Sequence, residues 1–559
     1  SPQDSPVVFR GSDQNLHGAL KVDSAVFTGV RLEIEGWLVG SGVLGLRCAG
    51  QVAAVKIARK SRPDVATAMD LSESSEGFGF TMVAAKGAAP YELELDLEID
   101  GKGHQLKFPL KIERSVALGP GGRPGVLGSI EAASASSLTG DGVVLGWAIL
   151  EPGASAWLET DDGIRIPLED AIRLARPDVF DSHGQTFGES ARQSGFLARV
   201  TGVHPGGVLR LMGEKSLGPE VVGQFELDML PLEPAPASRW LFSIASPTSE
   251  LVQRYEALDT LILDSLIRQG QRNWPRLPVN VRQLGPANAK PMASVIVPLF
   301  GRLDFVEHQL MEFSRDQAFL RNAELIYVLD DPALVEEFSG LVQTLHRLYG
   351  VPFRWIWGHA NRGFSGANNL GAAHASAEHL VFLNSDAIPQ QPGWLQPLLD
   401  VLANNPRVGA VGPRLTYADG SIQHAGMAFV RREDLGVWVN DHPQMGLDPS
   451  LDPFASATKV PAVTGACLAM RRNDFDKVDG WDTGYLIGDF EDSDLCLKLR
   501  SAGLDIVYLP TVQLTHLERQ SFKDLGSGDY RTRVVIYNAL RHQRKWESLI
   551  SRSFTNSAL

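Results

Sequence analysis

The run His379-Leu380-Val381-Phe382-Leu383, followed at once by Asn384-Ser385-Asp386, decides the fold of the second half of the chain. A short apolar run rich in branched residues reads as a buried strand. A carboxylate at its end suits a hard divalent cation bridging two phosphates, although an Asx-turn closing the strand accounts for it equally well. The same grammar precedes it: Ser294-Val295-Ile296-Val297 ends at Pro298-Leu299-Phe300, and Glu324-Leu325-Ile326-Tyr327-Val328-Leu329 runs into Asp330-Asp331. Helix-length segments at 303–313, 334–349 and 365–376 lie between these runs. Strand alternating with helix predicts a mainly parallel sheet covered on both faces, with ligands beyond the carboxyl ends of its strands.

Further candidates fall at those ends. Asp331 reads as a helix cap or, with Asp330, as a ligand contact. Asn361-Arg362-Gly363-Phe364-Ser365-Gly366-Ala367-Asn368-Asn369 opens a helix with short polar residues and glycines, which suits an anionic or ribose-bearing ligand. In Asp489-Phe490-Glu491-Asp492-Ser493-Asp494, four acids crowd six positions, which favours a carboxylate poised as a base; a solvated helix start paired with Lys498 and Arg500 is the competing account. His516 closes a strand-like run from Asp505, and a lone histidine is more often structural.

Outward from this region the grammar changes. Leu32-Glu33-Ile34-Glu35-Gly36-Trp37 returns loosely as Val143-Val144-Leu145-Gly146-Trp147, Arg62-Pro63-Asp64-Val65 returns as Arg176-Pro177-Asp178-Val179, and Gly79-Phe80 returns as Gly195-Phe196. Three matches in order indicate one unit present twice. Its short alternating runs, such as Tyr91 to Ile99, predict two antiparallel β-sandwich-like modules, 1–115 and 116–228. Trp37 and Trp147 read as core rather than as sugar-stacking platforms. Positions 229–291 read as a linker at Pro231–Pro236 and a connecting helix from Ser249, its cap, with Leu251, Tyr255, Leu258, Leu261, Ile262 and Leu266 on one face. Pro275, Pro278, Pro286 and Pro291 bracket an irregular stretch. A sheet domain follows at 292–525, then a basic helical tail at 526–559. Its Arg531, Arg533, Arg541, Arg544, Lys545 and Arg552 rest on an anionic membrane surface or pack on their own domain.

With 559 residues the chain is long enough for two to four domains. It carries 52 Lys+Arg against 66 Asp+Glu, a net charge of −14, which excludes general binding of nucleic acid through phosphates. Cys48, Cys467 and Cys496 stand far apart in no metal-like spacing, so a reducing, cytoplasmic setting without a disulfide framework is expected. No apolar run reaches the roughly 18 residues of a membrane span.

Taken in order, the strand ending Val297-Pro298, the Asp330-Asp331 pair, the Asn361 to Asn369 turn, Leu383-Asn384-Ser385-Asp386, Gly465-Ala466-Cys467, Phe490-Glu491-Asp492-Ser493-Asp494-Leu495-Cys496 and His516 resemble the family 2 glycosyltransferases over roughly Ala293 to Phe522. The resemblance implies a multidomain chain whose C-terminal α/β domain has the GT-A (nucleotide-diphospho-sugar transferase) fold. It implies an inverting transfer from a UDP- or dTDP-type sugar to a glycan or lipid-linked glycan, in bacterial surface polysaccharide synthesis, with Mg or Mn as divalent cation. Pro298 and Phe300 would floor the base pocket and Asp330 would meet the base. Asn361, Gly363 and Asn368 would contact ribose and diphosphate. Asp386 would hold the metal with His516, and Asn384 replaces the first acid of the D-x-D motif. Asp492 would be the base, with Glu491 orienting the acceptor. The segment Gly420 to Gly426 also resembles a recurring one. The alternative is a catalytically silent glycan-binding protein that keeps only recognition.

Overall fold

The computed structural model describes all residues except 13, 29–30, 61–64, 66–76, 86–88, 113–124, 216–217 and 518–527. The chain divides into two compact units, Ser1–Ala135 with Gly142–Asp228, and Ser136–Asp141 with Met229–Leu559. The expected boundaries at 115–116 and 525–526, and the end of the resemblance at Phe522, lie outside the described residues, as does Arg62-Pro63-Asp64.

In the first unit each copy of the repeat forms a five-stranded and a four-stranded sheet. The first copy places Arg31–Val39 and Gly77–Ala85 side by side in one antiparallel sheet, and Val43–Cys48 beside Tyr91–Ile99 in the other. Leu20, Val22 and Ile34 of one sheet share a core with Leu44, Leu93 and Leu95 of the other. The repeat signature has a steric cause. Gly36 lies opposite Phe80 in the ladder, and a Cβ there would stand 2.9 Å from the Phe80 ring and 2.2 Å from the Lys21 carbonyl oxygen. Gly146 repeats the arrangement, 2.7 Å from the Phe196 ring and 2.3 Å from the Ser129 oxygen. The Gly-Trp and Gly-Phe pairs are therefore two halves of one contact. Trp37 is buried with Ala19, Val39 and Val65, and half-buried Trp147 packs on Ile149 and Val179.

In the second unit, eight strands supply the frame: β1 Asn280–Leu284, β2 Ala293–Leu299, β3 Ala323–Leu329, β4 Phe353–Trp357, β5 His379–Leu383, β6 Val408–Thr416, β7 Cys467–Arg471 and β8 Asp505–His516. They lie in the order β1-β4-β3-β2-β5-β7-β6-β8. Strands β2 to β5 pair in parallel, as do β6 and β8. Strand β7 enters antiparallel between β5 and β6, an interruption of the expected parallel order. Helices Asp304–Ser314, Val335–Tyr349 and Gly363–Ala373 connect the first strands close to the expected positions. Buried side chains on both sheet faces, Val295 and Tyr327 on one, Ile296 and Val328 on the other, explain why these strands are apolar throughout.

Four expectations between 229 and 291 are corrected. The Pro231–Pro236 stretch is not a linker: helix Pro234–Ser243 starts inside it, with proline in the first turn, where the missing N–H is not needed. Ser249 caps nothing; it lies in the 3₁₀ turn Thr248–Glu250, from which helix Leu251–Arg254 grows. A π-turn at Tyr255–Asp259 then shifts the helical face, so Leu261 is 41% exposed while its expected companions are buried. The proline-bracketed stretch contains edge strand β1, paired antiparallel with β4, so the sheet begins before position 292. Only Leu284 of β1 is buried, which leaves no apolar signal to read.

The basic tail forms helix Gly528–Ile550, seated on its own unit through buried Val534, Ile536, Tyr537 and Leu540. Arg533 donates to the carbonyls of Phe242 and Ile244, and Arg541 and Lys545 pair with Asp482 at 2.8 and 2.6 Å. Among the described residues no helix is long and apolar enough to cross a membrane. His542 is buried on this helix, and burial pushes its imidazole from the ordinary 6.5 down to about 4. The unfolded chain takes up that proton near pH 6.5, so the unfolded state binds more protons between pH 6.5 and 4. The contribution of His542 to the stability of this unit is expected to be full above pH 6.5 and to be lost as the pH drops to 4. Denaturant unfolding across that range checks it, and His542→Gln should flatten the slope.

Candidate functional site

The carboxyl ends of β2 and β3 carry the first candidates. Pro298 is half-buried in β2, and Phe300 just beyond it is 57% exposed. Asp330 is buried and accepts the Arg362 N–H at 2.7 Å, while burial pushes its carboxyl well above the usual range. Asp331 caps the following 3₁₀ turn through Ala333 N–H at 2.9 Å and accepts the Gly301 N–H at 3.1 Å. The turn Asn361-Arg362-Gly363 is thus tied to β3. Asn361 is exposed, and its Oδ1 accepts the Gly363 N–H at 3.0 Å. Gly363, at φ +71°, starts the helix two residues before the expected position. Asn368 is fully buried; its amide donates to the Phe364 carbonyl at 3.1 Å, and Oδ1 has no partner among the described residues.

Beyond β5 the chain turns tightly, with the Ala387 N–H donating to the Asn384 carbonyl at 3.1 Å. Buried Gln309 donates to the carbonyls of Asn384 and Ala387 at 2.7 and 3.0 Å, fixing the turn from behind. Asp386 then stands 3.1 Å from Nε2 of His516, with Asn384 Nδ2 at 3.4 Å from the same nitrogen. Burial raises the Asp386 carboxyl, but the hydrogen bond and charge of His516 outweigh it and leave its pKa below the ordinary value. Gln423 Oε1 lies 2.6 Å from His516 Nδ1. An amide oxygen only accepts, so Nδ1 carries the hydrogen and Nε2 faces the carboxylate.

Two acceptors 3.1 Å apart require a proton or a cation between them. Ligand atoms at right angles about a small divalent cation stand about 3 Å apart. The pair, with its imidazole oriented through the opposite nitrogen, therefore fits such an ion. Among the described residues no group of three or more His, Cys, Asp or Glu could hold a metal.

Strand β7 brings in the remaining acids. Leu383 at the end of β5 pairs with Cys467 at the start of β7, and Asn384 N–H donates to the Ala466 carbonyl at 2.9 Å. The preceding Gly465 N–H donates to Asp492 Oδ2 at 2.9 Å. A Cβ on Gly465 would lie 3.0 Å from Trp481, 3.2 Å from the Asp492 Cβ and 3.2 Å from Phe364. One glycine thus touches the Asn361–Gly371 turn and the acidic motif, and its neighbour touches the end of β5. Asp492 is half-buried in the first turn of helix Glu491–Ser501, where its Oδ1 accepts the Ser493 N–H at 2.8 Å. Buried Glu491 has its carboxyl raised well above the ordinary value by desolvation, reinforced by Asp492 and other neighbouring acids. Asp494 is enclosed by Tyr485, Lys545 and Trp546, a packing role.

Sequence reasoning did not assign Gln309, Gln423 or His424. Buried His424 receives the Gly426 and Thr464 N–H groups at 3.3 and 3.4 Å, which pins the segment leading to Gly465. Gln423 and His424 lie in the Gly420 to Gly426 segment, whose pattern marks it without revealing what it holds.

Residues 291–531 match the family described as Glycosyltransferase like family 2, and this part of the chain is a glycosyltransferase family 2 domain. An uncharacterised protein of Sinorhizobium fredii is 33% identical over 258 residues, 44% of this chain and 26% of its own length. The O-antigen biosynthesis protein RfbC of Myxococcus xanthus is 31% identical over 266 residues, 46% of this chain and 20% of its own. The N-acetylglucosaminyl-diphospho-decaprenol L-rhamnosyltransferase of Mycobacterium tuberculosis is 30% identical over 172 residues, 28% of this chain and 54% of its own. The chain therefore matches only part of each relative. A solved structure, GalNAc-T7 with UDP, GalNAc and Mn2+, is similar at a TM-score of 0.36 and 16% identity over 46% of this chain and 50% of that one, too distant to bear on ligands.

Gly465→Ala is expected to cost about 1–3 kcal/mol through overpacking against Trp481, Asp492 and Phe364. Denaturant unfolding reads the cost; an alanine accepted without loss would show that the three side chains are not locked together there.

Proposed function

We propose that the protein is an inverting glycosyltransferase that moves a sugar from a UDP- or dTDP-type donor to a hydroxyl of a glycan or lipid-linked glycan, in the synthesis of bacterial surface polysaccharide at the cytoplasmic side. The observation that carries the reading is the half-buried Asp492 carboxylate, anchored by Gly465 N–H, with Gly465–Ala466 joining it to the turn that bears Asp386, which His516 meets from the end of β8. The names of the Myxococcus and Mycobacterium relatives, an O-antigen biosynthesis protein and an L-rhamnosyltransferase, support the polysaccharide setting.

Each Asp492 oxygen accepts one N–H and keeps a lone pair. That lone pair takes the acceptor hydroxyl proton as the oxygen attacks the anomeric carbon. The new C–O bond forms opposite the breaking bond to phosphate, the nucleoside diphosphate leaves with the bonding pair, and configuration inverts. Glu491, beside the base, orients the acceptor. Pro298 and Phe300 shape the base pocket beside Asp330. Asn361 and the N–H groups opening helix Gly363–Ala373 face ribose and diphosphate, aided by the positive end of the helix dipole. Enclosed Asn368 braces that turn rather than touching the donor. A divalent cation, Mg or Mn, held by Asp386 and His516 with Asn384 alongside, would neutralise charge on the leaving diphosphate.

With dTDP-rhamnose, UDP-galactose and UDP-N-acetylglucosamine as candidate donors, Asp492→Asn is expected to abolish transfer and leave donor binding within about twofold, because the substitution keeps the shape and removes the base. Strong residual transfer would refute the base assignment, and a wild-type protein that binds a donor without transferring or hydrolysing it would favour a silent glycan-binding role. Asp386→Ala should remove the gain in nucleotide affinity produced by MnCl2 in calorimetry. Gln423→Ala should weaken that gain about tenfold by releasing His516.

A further inference from the structure

The start of the helix that bears Asp492 is strained. Ile487, Asp489 and Phe490 have φ of +63°, +87° and +75°, a left-handed region costly for side chains of their kind. Three such residues in four positions persist only where their surroundings hold them, and the holding groups come from helix Gly528–Ile550. Fully buried Asn538 makes three hydrogen bonds across the turn. Its Oδ1 accepts the Leu486 N–H at 2.8 Å, and its Nδ2 donates to the carbonyls of Leu486 and Gly488 at 2.9 and 3.0 Å. One amide side chain therefore takes the place of a neighbouring strand. A turn later on the same helix, His542 Nε2 lies 3.0 Å from Ser493 Oγ, and its ring packs 5.2 Å from that of Phe490. Ser493 directs its single hydroxyl hydrogen to the Phe490 carbonyl at 3.1 Å, so Oγ accepts from His542 Nε2–H. The Ser493 N–H in turn holds Asp492 Oδ1.

We infer that Asn538 and His542 are positioning residues for Asp492: they hold the left-handed turn that sets the first turn of helix Glu491–Ser501, and with it the direction of the base. The inference rests on Asp492 acting as the base. The Asp492 carboxylate is suspended between two supports, Gly465 on strand β7 and the helix start, and only the second is braced by Asn538 and His542. If the turn relaxes, the carboxylate swings away from Gly465, and displacements of about 1 Å at a reacting group cost orders of magnitude in rate.

The test compares Asn538→Asp with Arg533→Ala in the full chain. The first variant keeps size and shape but sets an acceptor against two carbonyls. The second removes donors to Phe242 and Ile244 on the same helix, away from the turn. Exchange of the Gly465 amide reports whether Asp492 stays in place, and kcat on whichever donor of the panel turns over is read beside UDP affinity in the presence of MnCl2. Asn538→Asp is expected to speed Gly465 exchange and lower kcat about tenfold or more, with UDP affinity within about twofold. Arg533→Ala should lower Tm and leave Gly465 exchange and kcat unchanged. Unchanged Gly465 exchange in Asn538→Asp, or the same changes in Arg533→Ala, overturns the inference. Should Asn538→Asp fail to fold, His542→Ala reads the same quantities with the same outcomes. Transfer retained by Asp492→Asn would remove the base assignment, while Gly465 exchange would still report whether Asn538 holds the turn.

Discussion

Everything in the candidate site depends on the space denied at Gly465. The backbone there is hemmed in by Trp481, the Asp492 Cβ and Phe364, so no side chain fits without pushing one of them. That closeness lets a single N–H reach the Asp492 carboxylate while the next carbonyl receives Asn384. Motifs more than a hundred residues apart in sequence meet on two consecutive residues. The antiparallel entry of β7 makes this possible, because its first residue pairs with the last of β5. The start of one strand and the end of another then share one rim of the sheet.

Much of the domain was readable because burial on both faces leaves a plain trace. Strands β2, β3 and β5 are apolar at nearly every position and were placed to within two residues. Edge strand β1 left no such trace, since water covers all but one of its residues. The helix over Leu251–Asn273 was legible as a periodicity, but its π-turn moved Leu261 outward, and no local residue preference announces a π-turn. In the first unit Gly-Trp and Gly-Phe were visible as a repeat, whereas their partnership, each glycine making room for the other motif's phenylalanine, required the ladder register. At the site, Asp386, His516 and Asp492 stood out through the order of their motifs, since each taken singly has an ordinary structural account. Gln423 and Gln309 were not, because an amide carries no charge to stand out in a sequence.

Those amides share one physical task. Asn538 spans the turn at Leu486, Gln309 closes the Asn384 turn, and Asn369 pairs with both backbone groups of Trp481 at 2.9 and 3.0 Å. Asn538 and Asn369 each supply a donor and an acceptor, and Gln309 supplies donors, where irregular backbone would otherwise be buried without partners. Loops can therefore be enclosed without regular structure, and the enclosure is what raises the carboxyls of Asp330 and Glu491. The C-terminal helix follows the same logic, its cations spent on Asp482, Asp494 and helix-end carbonyls.

The sequence separations of these contacts have a consequence for the timing of biosynthesis. Asp386 meets His516 across 130 positions, His516 meets Gln423 across 93, and Leu486 meets Asn538 across 52. A growing chain lays down Asn384 to Asp386 long before His516 and Asn538, so neither the Asp386–His516 pair nor the braced turn before Glu491 can form until those later residues have been made. The strands that position these groups are therefore synthesised well ahead of the contacts that fasten them.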